Sequence, residues 1–195
     1  GAADVSTLAT VFSASGADGH NCHALCEQLA SDDRQISPTR FHNSVHNAAA
    51  GYWGVATRAM APCQVLGAYD ASFGAGLLEA LAQVAVEQQR VLFIAYDSEY
   101  PEPLHSVRPL PDCGGSALLL APARSQHSLA RIAVAATNDT ATRLADRELE
   151  TLRTTIPALR CLPLLQVLAN NAKGPTTICL DCLSPMQLRV ACEPC

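Results

Sequence analysis

The stretch from Pro62 to Ser98 organises the apolar pattern of the chain. Pro62-Cys-Gln-Val-Leu-Gly-Ala-Tyr69 is a short, largely apolar run opened by proline, as a buried strand is. Asp70 to Gly76 follows as a turn of mostly small residues. From Leu77 to Gln89 the spacing is helical, with Phe73, Leu77, Leu78, Leu81 and Val84 three and four apart near one face. Val91-Leu-Phe-Ile-Ala-Tyr96 is a second buried strand. Two apolar strands joined by a helical crossover predict a βαβ unit with parallel strands.

The flanking segments extend this pattern. Val5 to Ser13 has strand composition. His20 to Ala30 reads as a helix with Cys22, Leu25, Cys26 and Leu29 on one side. Ser37-Pro38 opens the next element, and Asn43 to Met60 is expected as one alanine-rich helix whose Gly51 packs closely on a neighbour. A proline-rich loop spans Pro101 to Pro111, and Ser116 to Pro122 and Leu129 to Thr137 are expected to pair as strands. Asp139 to Thr155 is a charged surface helix, and Cys161 to Asn170 a short apolar one. Thr176 to Leu183 and Met186 to Cys192 form a hairpin around Ser184-Pro185. The order is mixed α/β, expected as a single domain over residues 1–195.

Composition narrows the partners. The 195 residues are 49% hydrophobic and 16% charged, with a net charge of −5, enough for a real core and a large interface. Lys173 is the single lysine and the arginines do not cluster, so a nucleic-acid partner is not expected. No apolar run reaches membrane-spanning length, and no signal-peptide pattern is visible. The chain opens on Gly1-Ala2 without Met, read as a cloning remnant or the start of a truncated product. Of nine cysteines, an odd number, in an apolar chain of this size, most read as small buried hydrophobes in a reducing cytoplasm.

The turn between Tyr69 and Leu77 is where chemistry would sit, because a helix N-terminus presents free N–H groups and a positive dipole end. Asp70 is read first as the helix cap, accepting a backbone N–H, and second as a catalytic acid or base. Ser72 stands in Asp-Ala-Ser-Phe-Gly, close to a Gly-x-Ser-x-Gly elbow but without the first glycine. As a nucleophile it would need His42, His46 or His105 as base and Asp97 to orient it. His42 and His46, four apart, would share a helical face and with His20 and His23 suggest a metal site, although Asn43 stands where a zinc helix carries Glu. A polar or interface pair is the plainer reading. Cys179-x2-Cys182 and Cys192-x2-Cys195 have the spacing of a short zinc ribbon, against buried free thiols as the default. Cys63 is seven residues before the elbow and out of register with it, and Tyr52 and Trp53 read as packing or interface residues.

These residues resemble a known family. Ser37-Pro38-Thr-Arg-Phe41-His-Asn-Ser44-Val-His-Asn47-Ala-Ala-Ala-Gly51 is similar to the helix before the nucleophile strand of β-ketoacyl synthases, and the strand, elbow, helix and strand follow in matching order and length. Asp112-Cys-Gly114-Gly-Ser-Ala117-Leu-Leu-Leu120 resembles their Gly-x-Gly-Ala-Gly-Ala-Leu-Val-Leu strand. The likeness covers residues 5 to 138 and, weakly, 176 to 192. It looks most like the chain-length-factor-type proteins of bacterial aryl-polyene and xanthomonadin pigment clusters.

The resemblance implies an α/β, thiolase-like fold. Residues 1–138 would form half of an αβαβα sandwich, and 139–195 a short C-terminal extension of helices and hairpin in place of the other half. It also implies the departures that matter. Asp70 falls where the family's nucleophilic cysteine stands, in Ala68-Tyr-Asp-Ala-Ser-Phe73, and no histidine follows His127 to supply the second-half imidazoles. The implied role is a non-catalytic subunit, without cofactor, that pairs with an active ketosynthase or with itself and meets acyl groups carried on acyl carrier protein. Pairing would use the strand Cys63–Tyr69 and the helix Asn43–Met60. An acyl hydrolase or acyltransferase using Ser72 or Asp70 is the alternative.

Overall fold

The computed structural model describes residues 4–170 and 174–195. The elements run β1 (Ala9–Ser13), α1 (Gly19–Ala30), α2 (Pro38–Asn43), α3 (Ala48–Thr57), β2 (Cys63–Leu66), α4 (Ser72–Glu87), β3 (Val91–Asp97), α5 (Leu104–Val107), β4 (Gly114–Leu120), β5 (Ala130–Thr137), α6 (Arg147–Thr155), α7 (Leu162–Ala169), β6 (Thr176–Leu180) and β7 (Gln187–Pro194). The first sheet has the order β2-β1-β3-β4. Its first three strands are parallel, and β4 runs antiparallel to β3. The second sheet, β5-β7-β6, is antiparallel throughout. The expected βαβ unit is present as β2-α4-β3, with β1 inserted between its two strands.

α4 is the centre of the core. Phe73, Leu77, Ala80 and Val84 are buried in one cluster with Val11, Val91 and Phe93 of the first sheet. The same cluster takes in Ile178, Leu180, Leu188 and Val190 of the second sheet. Two glycines let α4 fit there. A Cβ on Gly74 would stand 2.9 Å from Cys182 Sγ and 3.2 Å from Leu188 Cδ1, on the side of the second sheet. A Cβ on Gly76 would stand 2.8 Å from Phe93 Cζ and 2.9 Å from Ser13 Cβ, on the side of the first. Leu78, placed by spacing on the core face, is 39% exposed.

Several expectations are corrected. The helix expected over Asn43–Met60 is broken, because Ser44 turns its N–H and hydroxyl back onto Phe41 O and ends α2. The helix resumes at Ala48, so His42 lies in the last turn of α2 and His46 within the break, and the two do not share a helical face. Gly51 has nothing within 4 Å of its Cβ position, so it makes no close packing in this chain. Segments 116–122 and 129–137 do not pair. β4 completes the buried β3 along its second edge, from Val91↔Leu120 to Asp97↔Gly114. β5 instead sets Ile132 and Val134 opposite Cys192 and Val190 of β7. Residues 5–13 begin with a 3-10 turn, Val5–Thr7, capped by Asp4, before β1. β2 ends at Leu66, and Tyr69–Ala71 is a 3-10 turn rather than strand.

Candidate functional site

The turn from β2 into α4 is a sharp corner. Tyr69 takes a left-handed backbone with φ 52°, a conformation that costs a bulky residue about 1–3 kcal/mol and needs support from its surroundings. Ser72 supplies part of that support. Its hydroxyl accepts from Ala68 N at 2.9 Å and donates to Tyr69 O at 2.6 Å, with Ala14 O at 3.2 Å. Ala14 O also lies 3.1 Å from His46 Nε2. A carbonyl only accepts, so that contact places the proton on Nε2.

Asp70 does not cap α4, contrary to the first expectation. Ala71 is the N-cap and makes no side-chain capping bond. The 3-10 turn leaves Asp70 ahead of the N-cap position, and its carboxylate faces two arginines instead. Arg108 Nη2 donates to Oδ1 at 3.0 Å and Arg160 Nη2 to Oδ2 at 3.3 Å. The side chains of Arg108 and Arg160 are 14% and 16% exposed, that of Asp70 46%. Arg108 also lies over the Tyr69 ring, 3.4 Å from its centroid, in a cation–π contact. Burial pulls the basicity of Arg160 below its ordinary value, and the Asp70 carboxylate opposes that pull.

Asp97 holds the frame behind this cluster. It is 6% exposed at the end of β3. Oδ1 accepts from Ser15 N at 2.8 Å and Ser15 Oγ at 2.6 Å, and Oδ2 accepts from Ala158 N at 2.7 Å. It therefore ties the end of β1 to the 3-10 turn Pro157–Cys161 that carries Arg160. Asp97 orients no histidine, as the sequence had suggested it could. Its donors are backbone and serine.

The other candidates are not brought together. Ser72 is 1% exposed and bonded to no histidine; His42 is exposed and His46 is spent on Ala14 O. His20 and His23 face Glu99 and Glu27 instead. In the second sheet Cys192 pairs with Thr176 and Cys179 with Arg189. Three residues of ladder, about 10 Å, therefore separate the two thiols. Cys182 is buried and Cys195 exposed, and among the described residues no group of three His, Cys, Asp or Glu could hold a metal ion. Tyr69, Arg108 and Arg160 were missed from the sequence. An arginine closing a proline-rich loop beside an exposed aromatic corner was the one available signal.

A second feature surrounds the corner. β2 is an edge strand, and the elements leading into it leave large apolar side chains in solvent. Phe41 is 65% exposed, Val55 79%, Met60 95% and Tyr69 63%. No helix among the described residues is long and apolar enough to cross a membrane.

Solved structures share this architecture. A chain of the complex of the ketosynthase ApeO with its chain length factor ApeC from Xenorhabdus doucetiae superposes with a TM-score of 0.71 at 21% identity, over 95% of this chain and 69% of that one. The ishigamide ketosynthase/chain length factor gives 0.70 at 12% identity, over 97% and 73%. A β-ketoacyl synthase from Burkholderia phymatum STM815 gives 0.62 at 10% identity, over 98% and 76%. The fold is thus the mixed α/β, thiolase-like fold of ketosynthases. A search of curated proteins finds no match. The sequence profile described as "Beta-ketoacyl synthase, N-terminal domain" matches residues 2–175, and the chain belongs to that family.

Proposed function

We propose that the chain is a non-catalytic, chain-length-factor-type subunit that pairs with an active β-ketoacyl synthase in polyene or fatty-acid-like biosynthesis. One observation carries this reading: the corner of the elbow holds Tyr69 and Asp70, and the Asp70 carboxylate is taken up by Arg108 and Arg160. Condensation needs a thiolate at the helix N-terminus to accept the acyl group. It also needs imidazole donors facing the developing negative charge. On this reading Asp70 occupies the place of the family's cysteine and acts as a tether, not as a nucleophile. Ser72 gives the hydrolase alternative little support, because it is buried and its hydroxyl already bonds within the turn.

The partner face on this reading is the free edge of β2 with Phe41, Val55, Met60 and Tyr69 around it. Exposed apolar side chains beside an unpaired strand edge are the ordinary makings of an interface. The ketosynthase bound to its chain length factor among the similar structures supports a heterodimer, and the acyl groups would arrive on acyl carrier protein. The experiment is co-expression with a ketosynthase and a carrier protein encoded beside it. A 1:1 complex should form on size exclusion, with condensation that depends on the partner's cysteine and survives Asp70→Asn in this chain. Condensation by this chain alone, abolished by Asp70→Asn, or serine labelling by a fluorophosphonate lost in Ser72→Ala, would overturn the reading. A homodimer that excludes the ketosynthase would overturn the pairing.

A further inference from the structure

We propose that Cys22 and Cys26 of α1 form a two-thiolate site for a monovalent copper ion. The site lies outside the elbow and uses none of its residues. Asp18 starts α1 by accepting from Asn21 N at 3.0 Å, and the helix runs from Gly19 to Ala30. Cys22 and Cys26 are four apart within it, the one pair of cysteines at that spacing in the chain. Residues four apart on a helix are neighbours on one face, with Cβ atoms about 5–6 Å apart. The spacing is therefore set inside a single helix. Cys22 is half-buried and Cys26 exposed.

That spacing favours a metal clip over a disulfide. A disulfide holds its sulfurs about 2.05 Å apart and its Cβ atoms about 3.5–4.5 Å apart, closer than a helical turn sets them. A metal–thiolate bond is about 2.3 Å long, so an ion between two opposed sulfurs holds them about 4.6 Å apart, which one turn of helix spans without unwinding. Neither thiol is committed elsewhere. Among the described residues Cys22 and Cys26 make no side-chain hydrogen bond, whereas the Cys161 thiol lies 3.4 Å from both Ser116 Oγ and Ala158 O. Burial first, then the Asp18 carboxylate and the Cys26 sulfur, push the Cys22 thiol up. Two bare thiolates are thus disfavoured at this place, and a cation held between them offsets both negative neighbours.

The donor set selects the ion. His23 lies 3.4 Å from Glu27, and Asp18 is engaged as the helix cap. Among the described residues no third His, Cys, Asp or Glu completes a group that could hold a metal. Zinc takes four ligands, or three and a water. Calcium and magnesium take oxygen ligands. Soft thiolates select monovalent copper, whose filled d shell accepts two opposed ligands. On binding, each thiol releases its proton to solvent as its Cu–S bond forms, two protons per ion. The copper arrives and stays monovalent, so no electron is transferred.

The test uses the full chain under nitrogen, with ascorbate to keep copper monovalent and bicinchoninate as the competing chelator. One copper per chain should withstand a bicinchoninate concentration that strips the helix variants. Cys22→Ser and Cys26→Ser should each weaken retention by about ten-fold or more, and Cys63→Ser and Cys113→Ser by less than about two-fold. Cys26 is exposed, so its serine variant leaves the core in place. Bound copper should also protect Cys22 and Cys26 from N-ethylmaleimide, read by peptide mass spectrometry, while the exposed Cys63 and Cys113 still react. Complete transfer of copper to bicinchoninate, full retention by Cys22→Ser or Cys26→Ser, equal losses in Cys63→Ser or Cys113→Ser, or unprotected Cys22 and Cys26 would overturn the proposal.

Discussion

Replacing Asp70 with alanine tests the reading of the elbow most directly. The perturbation removes one carboxylate that serves two guanidiniums, each more than four-fifths buried. Unit charges 4 Å apart attract by about 4 kcal/mol at an effective dielectric of 20 and by about 1 kcal/mol in bulk water. The Asp70 side chain is 46% exposed, so each contact falls toward the lower figure, and the two together are worth about 2 kcal/mol. For a chain of this length that is a fall in Tm of about 4–8 °C. Asp70→Asn keeps the shape and one acceptor and should lose about half as much. Urea denaturation followed through Trp53, the single tryptophan, reads the loss. A double-mutant cycle of Asp70→Ala with Arg108→Ala should show a coupling of about 1 kcal/mol. Stability of Asp70→Ala within about 0.5 kcal/mol of the parent chain, or a coupling indistinguishable from zero, would refute the tether and return Asp70 to candidacy as a free reactive carboxylate.

Two further outcomes are expected elsewhere. Gly76→Ala should destabilise by about 1–3 kcal/mol despite alanine's better helix propensity, because its Cβ would press on Phe93 and Ser13 across α4. A rise in urea midpoint would show that α4 does not fill its slot tightly. Glu150 is held down from 4.5 to about 2 by the Arg153 guanidinium and the Leu144 N–H it accepts. A depressed carboxylate adds stability above its unfolded value that is lost as pH falls through its folded one. The urea midpoint should therefore decline between about pH 4.5 and 2, and Glu150→Gln should flatten that decline while lowering stability near pH 6. An unchanged pH profile in Glu150→Gln would locate the acid sensitivity elsewhere.

Local signals in the sequence located the elbow but not its contacts. An apolar run, small residues and then a helical stripe gave β2, the corner and α4, and Ser37-Pro38 gave the start of α2, where the structure shows Ser37 as N-cap. Each of these depends on neighbours within a turn or two. The partners of Asp70 lie 38 and 90 residues away, and no periodicity connects them. The cap reading of Asp70 failed for a local reason as well. A 3-10 turn stands between strand and helix, so a preference defined at the N-cap was applied one residue early. The break at 44–47 was hidden because alanine-rich sequence on its C-terminal side favours helix, while Ser44 ends α2 through bonds to Phe41 O that composition does not reveal. The split of β4 and β5 into different sheets was equally hidden. Both alternate or run apolar, and only the pairing of β3 and β7 decides where each goes.

The arrangement around Tyr69 also bears on how the corner keeps its shape. A left-handed tyrosine is unfavourable by itself, and three separate contacts hold it: the Ser72 clasp, the Arg108 stack, and the Asp70 bridge to Arg108 and Arg160. Arg160 is positioned in turn by Asp97 through Ala158 N. A reactive site keeps its nucleophile accessible and its activating groups directed at substrate. Here the charged groups at the corner are directed at one another, and what they leave in solvent is the Tyr69 ring beside the free edge of β2. Strain maintained by surrounding contacts implies that the shape is used. With the carboxylate engaged and the aromatic presented, the corner suits the proposed pairing with another protein, and on that proposal Asp70→Ala should loosen the corner and weaken association with a partner together.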